Sequence, residues 1–256
     1  MKNLNFYGIR TIFIFNIKIF FTEYQSTIIS PIVSTMLFVI VLSTIGKSFN
    51  IFFDGSSYTD FIIPGMIIIS IIQTSFQNIS ETIINMKQIG SFNDFLSSPL
   101  SRIEILTSFL FSSIFIGLSV AFINIFLFSF FTDFYSFSSI LYQILYLIFT
   151  ILLFSSIGAL TGFLTYSWDI QNSVSNFFIV PISFLSGTFF SINAVNVKWK
   201  FLFEYNPFYW LIKSFRESYM GIYNFNFYNC VFIFIFVLIS VVISYFIFHK
   251  GYKVIY

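Results

Sequence analysis

The chain has 256 residues, 57% of them hydrophobic and 9% charged, with a formal charge of +2 at pH 7 and a mean hydropathy of +0.91. A water-soluble globule carries about 25% charged residues, so that class is excluded and the chain reads as an integral membrane protein. The small net charge gives no basis for a nucleic-acid partner, and a single cysteine, Cys230, excludes an intrachain disulfide and a thiolate metal cluster.

Residues 3–25 read as an amphipathic helix lying in the membrane interface. Asn3, Arg10, Thr11, Lys18, Thr22 and Gln25 fall within a wedge of about 120° at helical period, which turns the cations toward lipid headgroups. Spanning the bilayer instead would bury Arg10 and Lys18 at roughly 2.5 to 3.5 kcal/mol each. The segment does not read as a cleavable signal, because Asn16 and Lys18 interrupt the apolar run and no small-residue cleavage site follows.

A first span is expected at 27–46, with Pro31 in its first turn, where a missing amide donor costs little. Gly46-Lys47-Ser48 looks like the end of a phosphate-binding loop, but Val41 stands where that loop needs its earlier glycine. The chain is therefore not expected to hold a nucleotide itself. The second span, 61–84, places Ser70, Gln73, Thr74, Gln77, Ser80, Glu81 and Asn85 on one face. Such a stripe either lines a pathway or bonds helices together, and both readings stand at this point.

Residues 86–103 form a polar break in which Ser91 is placed to cap a short helix over 92–97 that Pro99 would end. Further spans follow at 105–131 and 140–166, with a turn at Thr132-Asp133 between them. Gly158 and Gly162 form a small-xxx-small pair expected to pack inside the subunit. The fifth span, 171–190, carries Pro181 and runs into Ser186-Gly187. Residues 191–228 are then too polar to span and too aromatic for an ordinary loop. Non-helical backbone at membrane depth survives only where protein or a water-filled cavity satisfies it, so a broken helix with a buried return points to a transport path. Two short half-helices dipping into the outer leaflet are expected, with Trp199 and Trp210 at the interface and Lys213 or Glu204 as partners for Arg216 and Glu217. The sixth span is 229–248, and the lone His249 reads as an interfacial anchor.

Three stretches carry a family likeness. The pattern FxxPxxFLSGxFF, held by Phe178, Pro181, Phe184, Leu185, Ser186, Gly187, Phe189 and Phe190, and then NPxYxxxxxxR, held by Asn206, Pro207, Tyr209 and Arg216, resembles the membrane subunit of type-2 ABC exporters. YTDFIIPGM resembles that family's YxxFxxPG entry to the second span. Residues 86–103 resemble its cytoplasmic coupling segment, on Asp94, Phe95, Leu96, Ser98, Pro99, Leu100, Ser101 and Arg102. One departure is that Ser191-Ile192-Asn193-Ala194 follows FLSGxFF where members often have a proline.

The resemblance implies one transmembrane domain over 1–256. Its fold would be all-α and polytopic: six transmembrane helices, the interfacial helix 3–25 and a re-entrant extracytoplasmic region 191–228. It implies a second permease copy, as a homodimer, and separate ABC ATPase subunits that hold Mg-ATP, so the chain itself has no cofactor and no enzymatic role. Coupling to the ATPase would fall to Asp94, Phe95, Leu96, Ser98, Pro99 and Arg102. The substrate pathway or hinge would comprise Gln73, Gln77, Pro181, Phe184, Ser186, Gly187, Phe190, Asn206 and Pro207. The expected location is a bacterial or organellar inner membrane, in contact with lipid, with both termini cytoplasmic on a modest excess of Lys and Arg at that side. The cargo expected from apolar, aromatic spans is an amphipathic or lipid-like molecule moved out of the cytoplasm, with polysaccharide or glycolipid export as the alternative. An ion-coupled secondary transporter is the weaker reading, because no internal repeat or midplane ion pair is evident. A lipid-acting enzyme would need clustered catalytic groups that scattered carboxylates and one histidine do not supply.

Overall fold

The helix of 32 residues over Tyr58–Ile89, called α3, is the axis around which the other elements pack. A computed structural model of the chain describes residues 5–53, 56–132, 139–192, 195–222 and 225–251; Asn3, Asp133, Asn193 and Ala194, singled out above, lie outside the described residues. Helix α3 starts where the Ser57 side chain accepts from the Asp60 amide and ends at Gly90, whose φ of +84° is the left-handed conformation that closes many helices.

In chain order the helices are α1 (Phe6–Thr22), α2 (Ser30–Ser48), α3, α4 (Phe92–Ser97), α5 (Arg102–Phe128), α6 (Ile140–Leu164), α7 (Trp168–Val174), α8 (Val180–Phe184), α9 (Lys200–Glu204), α10 (Pro207–Tyr219) and α11 (Phe227–Lys250). Two short strands, β1 (Phe52–Phe53) and β2 (Ser56–Ser57), pair antiparallel in the loop before α3, a small departure from an all-helical chain. Among the described residues, five helical stretches are long and apolar enough to cross a membrane: Gln25–Ser48, Tyr58–Ile89, Arg102–Phe128, Ile140–Leu164 and Phe227–Lys250. The chain is thus an all-α polytopic membrane protein.

The span expected at 171–190 differs. Helical structure there runs over 168–184, about 25 Å at about 1.5 Å per residue, against a hydrocarbon core of about 30 Å. A π-turn at Ser175–Ile179 precedes Pro181, and another at Gln25–Ile29 precedes Pro31. In both, the wider turn takes up a residue that lacks an N–H, so Pro31 lies within a continuing helical run rather than at its start.

Helix α1 has the expected polar register. Arg10, Thr11, Lys18 and Thr22 are exposed, whereas Ile12, Asn16 and Phe20 face inward on the side that packs against α5. Asn16, which interrupts the apolar run in sequence, is buried and donates to Ser112 Oγ at 2.9 Å. The glycine pair of α6 packs inside the subunit. A Cβ on Gly158 would overlap the Phe76 carbonyl oxygen of α3, and one on Gly162 would lie 2.9 Å from Ile83 Cβ. Gly46, in the stretch that looks like a phosphate-binding loop, lies inside α2 against the Tyr58 ring.

Candidate functional site

The FLSGxFF, NPxYxxxxxxR and YxxFxxPG stretches meet at one end of the bundle. After Phe184, Leu185 N still bonds Pro181 O at 3.0 Å, and Ser186 Oγ donates to Ser183 O, so the last turn closes on itself. The backbone then turns through Gly187 at φ +74°, a conformation that L side chains rarely adopt. Helix α10 begins at Asn206, whose Oδ1 accepts from Phe208 N at 2.9 Å, with Pro207 at its first position.

Tyr209 and Arg216, two turns apart, project from α10 onto the broken stretch of chain. A Cβ on Gly187 would sit 3.1 Å from Tyr209 Cδ2. Arg216 donates to the carbonyls of Gly187 at 2.9 Å and Thr188 at 3.3 Å, and its guanidinium lies 3.7 Å from the centre of the Phe61 ring. From α3, Tyr58 OH donates to Phe189 O at 3.3 Å, and Gly65 lets Thr188 approach so closely that a Cβ there would lie 2.7 Å from Thr188 Cγ2. The Pro64-Gly65 entry, the SGT break and the NPxYxxxxxxR helix are therefore one assembly. It borders a cavity of about 400 Å³ lined by Phe61, Gly187, Phe190, Tyr209, Arg216 and Glu217 among others.

Lys213 pairs with Glu217 at 3.9 Å, in line with the sequence expectation. Burial pushes the Glu217 carboxyl up, opposed by the pull of Lys213 and Arg216. Arg216 differs from expectation, because it bonds backbone carbonyls of the break. Glu204 meets α10 through its main-chain carbonyl, which accepts from Trp210 Nε1 at 2.8 Å.

Gln73 and Gln77 lie about two and three turns along α3 from Gly65, outside this cluster. The polar stripe of α3 divides. Ser70 accepts from Asn124 Nδ2 at 3.1 Å and Ser80 from Gln171 Nε2 at 3.2 Å, both inside the bundle, while Gln73, Gln77, Glu81 and Asn85 on the same broad face stay half-buried. Hydrogen-bonded glue thus describes Ser70 and Ser80.

The other end of the bundle carries 86–103. Helix α4 forms over Phe92–Ser97 as expected, but Ser91 does not cap it; its hydroxyl donates back to Met86 O at 3.4 Å. Phe92 is buried with its ring 6.3 Å from those of Phe163 and Phe248. Phe95 and Leu96 also turn toward the bundle, whereas Asp94 and Pro99 are exposed. Ser98 Oγ donates to Phe95 O at 2.6 Å.

Arg102 donates to Phe248 O at 2.8 Å and to His249 O, closing the end of α11. Sequence reasoning missed Glu104, which is 5% exposed. One oxygen completes a capping box with Ser101, and the other accepts from Asn5 N at 2.7 Å. The S-x-x-E spacing at 101–104 was the available signal. Lys87 Nζ donates to Phe163 O at 2.6 Å, Gln88 to Tyr166 O at 3.1 Å, and Trp168 Nε1 to Gln88 Oε1 at 3.1 Å. The beginnings of α1, α5 and α7 and the ends of α3, α6 and α11 are thereby tied to one another around α4.

The described residues thus form a polytopic helical membrane protein with a pinned helix break at one end of the bundle and the short helix α4 at the other. Residues 7–220 match the family model described as ABC-2 type transporter, and the chain belongs to that family. It is 26% identical over 222 residues, 87% of this chain and 86% of the relative, to the inner membrane transport permease YadH of Escherichia coli (strain K12). The permeases of that name from Escherichia coli O157:H7 and Shigella flexneri match to the same extent.

Proposed function

We propose that the chain is the permease half of an ATP-driven exporter in the inner membrane. Two copies form a seam, separate ATPase subunits hold Mg-ATP, and an amphipathic or lipid-like cargo moves outward along the seam. The observation that carries this reading is the convergence of α3, the break at Gly187 and α10 through Arg216, which couples a membrane-level turn to the longest buried helix. A sixth crossing is supported by the course of α7 and α8. Trp168 meets Gln88, Gln171 meets Ser80 and Thr188 meets Gly65, so this segment runs antiparallel to α3 for most of its length. Residues 185–191 would complete the passage, and α9 and α10 would form the re-entrant part of 191–228.

In this reading the whole of 1–256 is one transmembrane domain and the end holding α4, Asn5 and His249 is cytoplasmic. ATP binding draws the motor subunits together, α4 receives the motion within 86–103, and α2, α3 and the α7–α8 segment rearrange at the seam. Asp94 and Pro99 are the outward contacts, while Phe95, Leu96 and Arg102 pass the load into the bundle. Reconstitution with the ATPase subunit in proteoliposomes tests it. Asp94→Lys is expected to lower outward transport of a fluorescent lipid analogue about tenfold, the effect of about 1.4 kcal/mol lost at the contact with the ATPase subunit. Membrane insertion and basal ATP hydrolysis would be unchanged. Wild-type transport in this variant removes the coupling role, and ATP hydrolysis by the chain purified alone removes the division of labour.

A further inference from the structure

At the end that carries α4, helices α1 and α3 part around a second cavity, of about 280 Å³. Its lining divides by chemistry. Phe15 from α1 and Met86 from α3 give apolar wall, and Glu23, Asn78, Glu81 and Asn85 give oxygen and amide groups. Residues 78, 81 and 85 share one face of α3 at helical spacing. Glu81 lies about two turns inside the end of α3, and a carboxylate at such a depth is costly unless a cation or water meets it.

Among the described residues, none supplies a cation there. No Lys or Arg is among the described residues that line the cavity. Lys87, the next cation along α3, is committed elsewhere, with Nζ on the carbonyls of Phe163 and Thr165 and 4.3 Å from the Tyr166 ring. Two carboxylates and two carboxamides therefore share a space with apolar wall and no positive charge of its own.

We propose that this cavity admits amphipaths with a cationic head group before they reach the seam. The head would rest between Glu81 and Glu23, hydrogen-bonded or solvated by Asn78 and Asn85. The apolar body would lie on Phe15 and Met86, where a ring face also favours a cation. An anionic head would meet two like charges and be rejected. Cationic amphipaths are thus the cargo class within the exporter reading. Their onward transport rests on that reading, whereas binding itself needs neither nucleotide nor ATPase.

The test uses the full-length protein in phosphatidylcholine nanodiscs, titrated by equilibrium dialysis with tetraphenylphosphonium and with tetraphenylborate, ions of one shape and opposite charge. Empty nanodiscs set the background. Saturable binding of the phosphonium and none of the borate is expected. Glu81→Gln is expected to weaken it about tenfold, Glu23→Gln less because Glu23 is exposed, and the double variant to remove it, with circular dichroism and elution volume unchanged. Absence of saturable phosphonium binding, equal binding of both ions, or unchanged affinity in the double variant overturns the proposal. The single Glu23→Gln change, on an exposed side chain, keeps the test open if the double variant folds poorly. Failure of the exporter reading looks different: phosphonium binding persists, but the ATPase subunit and Mg-ATP produce no transport.

Discussion

Gly187→Leu is expected to abolish transport while leaving the five long helices in the membrane. At φ +74° an L residue costs about 1–2 kcal/mol. The added side chain also meets a wall, because a Cβ alone would lie 3.1 and 3.2 Å from two atoms of the Tyr209 ring. Overpacking of this kind costs about 1–3 kcal/mol, and the two terms act on the same few residues. The turn cannot relax freely, since its carbonyls are held by Arg216 and its neighbour Thr188 is pressed against Gly65. Relief therefore has to come from α10, whose cap at Asn206 and ring at Tyr209 would move away from the break. Gly187→Ala carries the backbone term and only a tight contact, so it is expected to keep partial transport. Under the proposed exporter function, vesicle transport of a fluorescent amphipath with an ATPase partner present measures the series. Wild-type rates in the leucine variant would show that the break does not need its left-handed turn.

Gly158→Ala is expected to lower stability more than Gly162→Ala, although both add one methyl group to the same helix face. The first methyl would overlap the Phe76 carbonyl and lie 3.1 and 3.2 Å from that residue's C and Cα, all backbone atoms of α3. The second meets Ile83 Cβ at 2.9 Å, against 2.4 Å to the carbonyl oxygen for the first, so the shift it demands of α3 is smaller. Because α3 is buried along most of its length, moving its backbone also disturbs its packing on α2, α5 and α10. A loss of about 3 kcal/mol or more at Gly158, against about 1 kcal/mol at Gly162, is expected from the cost of overpacking a dense interior. Elution profiles after stepwise heating in detergent rank the variants; equal melting would mean that α6 and α3 can separate at little cost.

Local patterns in the sequence reach a long way into this structure. Helix α4 falls on the expected residues because Pro99 fixes its end through the extended backbone of Ser98. The glycine spacing on α6 and the polar register of α1 come directly from helical period. What the sequence hides depends on partners far along the chain. Asn16 looks like a break in an apolar run until Ser112 is placed beside it. Arg216 looks like a charge in search of a carboxylate until the carbonyls of Gly187 and Thr188 are left without helical partners. Pro181 and Ser186-Gly187 mark a break in the sequence, but hydropathy continues through Phe189-Phe190, so the end of the 168–184 helical stretch at Phe184 is set by the turn at Gly187 and its capture by α10. The inward aim of Phe95 and Leu96 is likewise decided by Phe15 and the apolar cluster beneath them, not by their own spacing.

The anchoring of Asn5 by Glu104 and of residues 248–249 by Arg102 places both extremities of the described chain on a single joint. Terminal segments ordinarily drift unless tied down, whereas Asn5 and residues 248–249 are each held by a side chain near the start of α5. A reporter protein fused ahead of residue 5 or beyond residue 250 would hang its drag on that joint. Turnover is therefore best compared after any tag has been cut away.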